Sequence, residues 1–291
     1  MGSVLLLLFW KASSKRVLDY IVPIWEVTGT FGAFWVVITD FAFPNILIPA
    51  SKLYAVALML FLILFVARNS TIVFGEYIIK KRWLDHKKLY QMYSLSTIAL
   101  GIIALTIFSS IISGSGINIE AGYFSVPQWI GSAGSIPFIL GALLIGVGLA
   151  PVFYGLHPFR KITLPVTAAG VALSSISFYF SSPGLVTPLI AVPIVLTILV
   201  PVLFMYQKTA ALVSNKLVFS IVATAILFSM SFLVYPTAFG RTLNVDDFTT
   251  SGPMSGAFLI ITAVGGIMLA VMVYFYLVAV KRSQLAREPA A

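Results

Sequence analysis

The sequence predicts an all-α, polytopic transmembrane helical bundle of about eight spans, and three observations predict it. Of 291 residues, 60% are hydrophobic and only 9% charged, with a mean hydropathy of +1.05. Soluble domains carry about 25% charged residues. The apolar residues gather in long runs separated by short polar loops. The basic residues, finally, fall almost entirely in alternate loops. A chain this apolar must use lipid as solvent, and lipid demands that each spanning segment satisfy its own backbone hydrogen bonds.

The elements follow in order. A hydrocarbon core of about 30 Å needs roughly 20 helical residues. Eight segments meet that length: 20–43, 47–68, 89–112, 128–150, 162–181, 185–206, 216–235 and 254–280. Before them, "VLLLLFW" (Val4–Trp10) is too short to span; as a helix, Met1 to Trp10 covers about 15 Å. Residues 1–19 therefore read as a short interfacial segment or the tail of a truncated helix, and the whole of 1–291 reads as one integral membrane domain. The longest loops are 113–128 and 236–253 on one side and 79–90 on the other. With the N-terminus placed in the cytoplasm, all of the 18 basic residues except Lys52 and Arg241 fall on the inner side. The positive-inside rule then puts both termini in the cytoplasm. It also accounts for the net charge of +9 without a nucleic-acid partner.

Several chemistries are excluded by composition. There are no cysteines, so no disulfide, thiolate zinc site, iron–sulfur cluster or cysteine nucleophile can form. Only two histidines occur, His86 in "RWLDHKK" and His157 in "YGLHPFRK", both in inner loops rather than inside spans. They suit a surface role better than haem ligation. No nucleophile elbow, phosphate loop or His-Glu metal spacing is present, and no catalytic residue is assigned to this chain. Gly141, Gly146 and Gly148 read as close helix-packing positions, and Pro193 and Pro201 as kinks.

Ionisable residues inside spans are the functional candidates, because each costs about 2.5–3.5 kcal/mol at a helix centre. Asp40 and Lys52 lie near the outer boundary, and Arg68 and Glu76 near the inner one. Glu26, in "DYIVPIWEVTGT", lies roughly 10 Å into the first span. It reads either as a neutral carboxyl hydrogen-bonded to a neighbouring helix, or as a proton-carrying group or ion-pair partner of Arg68. Thr28 and Thr30 place hydroxyls nearby, able to relay a proton or to cap the turn freed by Pro23.

Pro23, Trp25 and Glu26, then Phe43 and Pro44 closing the helix, then Tyr54 and an Arg68 ending the next one, resemble subunit II of cytochrome bd-type quinol oxidases. "YPTAFGRTLNVDDF" and the closing segment "VMVYFYLVAVKR" are similar to that family's last outer loop and final span. The chain departs from the family at Thr28 and Phe31, where Asn and Trp are usual, in the placement of Glu76, and in the missing first span.

The resemblance implies a haem-free subunit that binds no cofactor or metal itself. Its partner would be a haem-bearing subunit I, its complex would oxidise quinol within the cell membrane, and Glu26 would correspond to a carboxylate on a proton route from the cytoplasm. Two other readings stay open from the residues: a secondary transporter or channel, which a buried acid and Gly/Pro-broken spans would suit, and a quinol-binding anchor of another respiratory complex.

Overall fold

A computed structural model of the chain describes residues 2–42, 44–78, 85–118, 121–234, 237–238 and 243–244, with helical positions scattered between 253 and 275. Over much of 22–46 it gives the helical backbone only. The chain divides into two units, one of residues 1–17 and 50–247, the other of 18–49 and 248–291.

The first unit opens with α1 (Gly2–Leu8) and the start of α2 (Trp10–Ala42). The "VLLLLFW" run is therefore two helices meeting at Phe9. Leu5 and Leu6 are buried, and α1 packs on α5 and α7, defined below. The Ser13 hydroxyl donates to the carbonyls of Leu5 (3.0 Å) and Phe9 (2.9 Å), tying α1 to the first turn of α2.

After α3 (Pro44–Leu53), α4 covers Ala55–Val73 and runs on as a π-helical turn, Phe74–Ile78. The second span thus begins later than the 47–68 expected, because the helix breaks at Tyr54 (φ −101°, ψ 20°) rather than running through from Leu47. Pro44 opens α3, where its missing N–H would go unpaired anyway. Next comes α5 (His86–Ser113), closed by Gly114 at φ 73°. A β-hairpin, β1 (Ile117–Asn118) with β2 (Tyr123–Phe124), leads to a short α6 (Val126–Gly131). Ser125 caps α6 by accepting from the Gln128 N–H. This helix takes the start of the span expected at 128–150. The break at 132–134 shifts the spanning helix α7 to Ser135–Phe153.

The remaining helices are α8 (Arg160–Ser181), α9 (Ala191–Met205), α10 (Gln207–Val213) and α11 (Lys216–Val234). Two single 3₁₀ turns, 183–185 and 188–190, occupy the start of the 185–206 segment, where Pro183 and Pro188 remove donors. Pro193 falls in the first turn of α9 and Pro201 inside it. A second hairpin pairs Thr237–Ala238 with Leu243–Asn244. The expected first span, 20–43, coincides with helical backbone of α2; that at 254–280 lies largely outside the described residues.

Among the described residues, six helices are long and apolar enough to cross a membrane. Those of the first unit alternate in direction, and their ends differ in chemistry. At one end Arg160 lies over Phe204 (5.6 Å), Lys216 over Phe153 (4.2 Å), and the Arg16 guanidinium donates to the Gly155 carbonyl. At the other, Ile112, Trp129, Phe138, Ile139 and Phe178 form a buried cluster ringed by serines. This segregation is the pattern that loop charges require of a membrane bundle.

Trp129 holds the serine end. Its indole N–H donates to Ser109 Oγ (2.9 Å), which itself donates to the Thr106 carbonyl (3.0 Å). Beside it, Tyr54 and Ser110 share a hydroxyl–hydroxyl bond of 2.5 Å. Trp129→Phe keeps a large ring but removes the indole donor, and Ser109 keeps Thr106. Thermal unfolding of the purified protein is expected to register a loss of about 1 kcal/mol.

Candidate functional site

A polar helix–helix seam of the first unit lies at the basic end, where α4 and its π turn meet α5. Arg68 sits on α4, and its Nη2 donates to the Tyr93 hydroxyl at 2.9 Å. The guanidinium also lies over the Tyr93 ring (5.1 Å) and near Phe65 (5.9 Å). Its Nε is buried with no partner among the described residues, as is Asn69 Oδ1 next to it. Two turns further along, on the π turn, Glu76 accepts a hydrogen bond from the Tyr90 hydroxyl. His86 Nε2 stands 3.8 Å from the same carboxylate oxygen.

The π turn helps to make this meeting possible. An i→i+5 pattern inserts an extra residue per turn, re-aiming side chains at a helix end. Gly75 presents no side chain where Tyr90 and Leu89 approach; a Cβ there would already be in van der Waals contact with both. Tyr90 is buried, with His86 edge-on to it (4.8 Å between centroids), Trp10 at 6.2 Å and Tyr93 at 6.3 Å. The α4–α5 seam thus carries two successive polar pairs, Glu76–Tyr90 and Arg68–Tyr93, behind an exposed histidine.

The sequence-derived candidates are distributed unevenly. Arg68 is in this seam, and the partner given to it there is Tyr93. Glu26, Thr28, Pro23 and Trp25 lie on the helical backbone of α2, and their side chains fall outside the described residues. Phe43 also lies outside them. His86 and His157 are exposed, as a surface role predicts, but they open helical turns rather than lie in loops, His86 at the start of α5 and His157 at the start of a 3₁₀ turn (His157–Phe159), and both are engaged: His157 stacks on Phe204 (5.7 Å), and its Nδ1 is 3.2 Å from Arg160 Nη2. Sequence reasoning missed Tyr90 and Tyr93. Their only signal was spacing: three residues apart on α5, they share a helix face.

A second polar feature lies at the serine end. Ser109, Ser113, Ser135, Ser177, Ser181 and Ser182 line a cavity of about 10 Å³, together with Gly134, Ile112, Phe138 and Phe178. That is room for one water and far too little for a quinol ring or a haem. The Ser177 hydroxyl donates to the Gly134 carbonyl at 2.5 Å, whereas Ser182 Oγ is buried without a partner among the described residues.

Tyr93→Phe tests the weight of the Arg68 contact. It leaves a second nitrogen of a half-buried guanidinium without its acceptor. A loss of about 1–2 kcal/mol is expected in chemical unfolding, smaller than for a fully buried charge because Arg68 keeps some exposure.

Comparison with protein-family models and with curated proteins finds no match for this chain. Among the described residues, no group of three or more His, Cys, Asp or Glu side chains is placed to hold a metal ion.

Proposed function

We propose that this chain is a haem-free membrane subunit of a terminal quinol:oxygen oxidoreductase, similar to subunit II of cytochrome bd. In this reading it crosses the cell membrane eight times with both termini in the cytoplasm. It packs on a haem-bearing subunit, and it helps conduct protons inward from the cytoplasmic side. Electron transfer from quinol to oxygen takes place in the partner, so the chain carries no cofactor and no catalytic residue of its own.

The observation that carries the proposal is the spacing of Pro23-x-Trp25-Glu26, Phe43-Pro44 and Arg68 across two consecutive apolar segments. Two further features support it. With no cysteine and only two histidines, both exposed, the chain suits a subunit that leaves redox chemistry to a partner. Basic residues gathered at one end of the first unit suit a cytoplasmic face from which protons would be drawn.

Affinity purification in mild detergent tests it. The expected result is a coloured complex containing a second membrane subunit, with a haem spectrum and quinol-dependent oxygen consumption. A colourless, stable protein with no membrane partner overturns the proposal and favours transport. A partner bearing iron–sulfur centres favours the anchor of another respiratory complex.

A further inference from the structure

The structure points to Glu76 as a proton-loading carboxylate at the mouth of the α4–α5 seam, with His86 exchanging its proton with water and Tyr90 as its positioning residue. We infer this from geometry, and it rests on the reading above that the chain conducts protons. The three groups are graded in exposure. The His86 side chain is 54% exposed and that of Glu76 30%, while Tyr90 is 1% exposed. A proton arriving from water therefore meets an imidazole, then a carboxylate, then a hydroxyl inside the bundle. Histidine and carboxylate are the side chains that bind and release protons across the range from about pH 4 to 7. Tyr90 donates to Glu76 Oε1 and so holds the carboxylate at the seam rather than free in solution.

Nothing in the fold of the seam alone asks for an acid here. The buried Tyr90 hydroxyl asks for an acceptor, but a neutral amide oxygen would satisfy it as well as a carboxylate. Instead the helix shifts to a π turn at Phe74–Ile78, a feature frequent at functional sites, and the turn carries Glu76. Among the described residues, the charged and titratable groups around it are few. His86, Tyr90 and, one turn on, Tyr93 face it from α5; Asp85, Lys87 and Lys88 are exposed at the start of that helix. The first turn of α2 brings Trp10 against Tyr90, and Arg68 lies two turns back on α4. Residues 79–84, with Lys80, Lys81 and Arg82, follow directly in the chain and lie outside the described residues.

The test uses the intact complex, with quinol-dependent oxygen consumption read across pH and haem content as a control for assembly. Glu76→Gln keeps an acceptor for Tyr90 but carries no proton. It is expected to slow turnover about tenfold at alkaline pH, where protons are scarce, and much less at acidic pH. Glu76→Asp should restore most of the rate. His86→Ala should slow turnover a few-fold, about threefold, and millimolar imidazole should restore it. A Glu76→Gln complex with the wild-type rate and pH profile, alongside a slow Glu26→Gln complex, overturns the assignment of Glu76 and leaves the oxidase reading standing. Equal loss at every pH, with no rescue by Asp or imidazole, means a structural role and also overturns it. A wild-type complex without quinol oxidase activity overturns both.

Discussion

Gly170→Leu is expected to pull α7 and α8 apart. Among the described residues this helix pair is the most extensively packed, and it is built on backbone approach rather than on large side chains. A Cβ at Gly170 would lie 2.7 Å from the Gly141 carbonyl oxygen and 2.7 Å from the Ile145 nitrogen. A Cβ at Gly141 would lie 2.7 Å from the Gly170 carbonyl oxygen and 2.7 Å from the Ser174 nitrogen. Each glycine is thus the space into which the other helix fits, and the atoms in the way are backbone, which cannot rotate aside. Thr163, Thr167 and Ser174 extend the same small-residue face along α8, and Gly148 meets Thr167 one contact further on. In lipid the apolar effect does not drive helices together, so packing and close approach must do so. Overpacking such a contact costs about 1–3 kcal/mol for a modest addition, and a full leucine at two backbone clashes should exceed that range. The expected result is loss of cooperative thermal unfolding in detergent, or failure to accumulate. Gly170→Ala should be less severe, at about 1–3 kcal/mol. Gly101→Ala on α5 is the control: nothing lies within 4 Å of its Cβ position, so it should be neutral or gain slightly from helix propensity. Equal stability of Gly170→Leu and the wild type would mean that α7 and α8 do not pack this way.

The packing role of Gly141 and Gly148 was legible in the sequence, since small residues recurring in an apolar helix have few other uses. So were the helices near 89–112, 162–181 and 216–235, whose hydropathy windows end where polar residues begin. Other boundaries were hidden for local reasons. Hydropathy does not register the break at Tyr54, because Leu47, Ile48, Ala50 and Leu53 carry the apolar run up to the helix that follows. It likewise counts α6 as part of a span, because Trp129 and Ile130 are apolar, although the chain bends at Ser132–Gly134. The seam at Glu76 was the least legible feature. Glu76 and Tyr90 are separated by 14 positions, and Arg68 and Tyr93 by 25. Only the antiparallel pairing of α4 with α5 brings them together. A π turn has no reliable sequence signature. Burial of Leu5 and Leu6 was invisible for a similar reason: a short apolar run has the same composition whether it faces lipid or packs on α5.

On the oxidase reading proposed above, Glu26→Gln is expected to slow turnover of the assembled complex about 100-fold, the scale of losing a positioned proton donor or acceptor. The substitution is nearly isosteric, so helix α2 should form and the complex should assemble with its full haem content. An amide hydrogen-bonds but cannot release a proton at neutral pH, so the two roles of the carboxyl separate. If Glu26 served only as a neutral hydrogen-bonding group, glutamine would replace it and oxygen consumption would stay at the wild-type rate. That result would remove the proton role and leave only packing. Glu26→Leu removes the hydrogen bond as well; it should be as slow as the glutamine variant if proton transfer is the only loss, and less stable if the carboxyl also holds a neighbouring helix. The Arg68 substitution Arg68→Gln completes the comparison. Were the two residues an ion pair, the double variant would lose less than the sum of the single losses, because each single change strands a charge in the membrane. Additive losses would instead leave Arg68 with Tyr93, the partner it has in the structure, and uncouple it from Glu26.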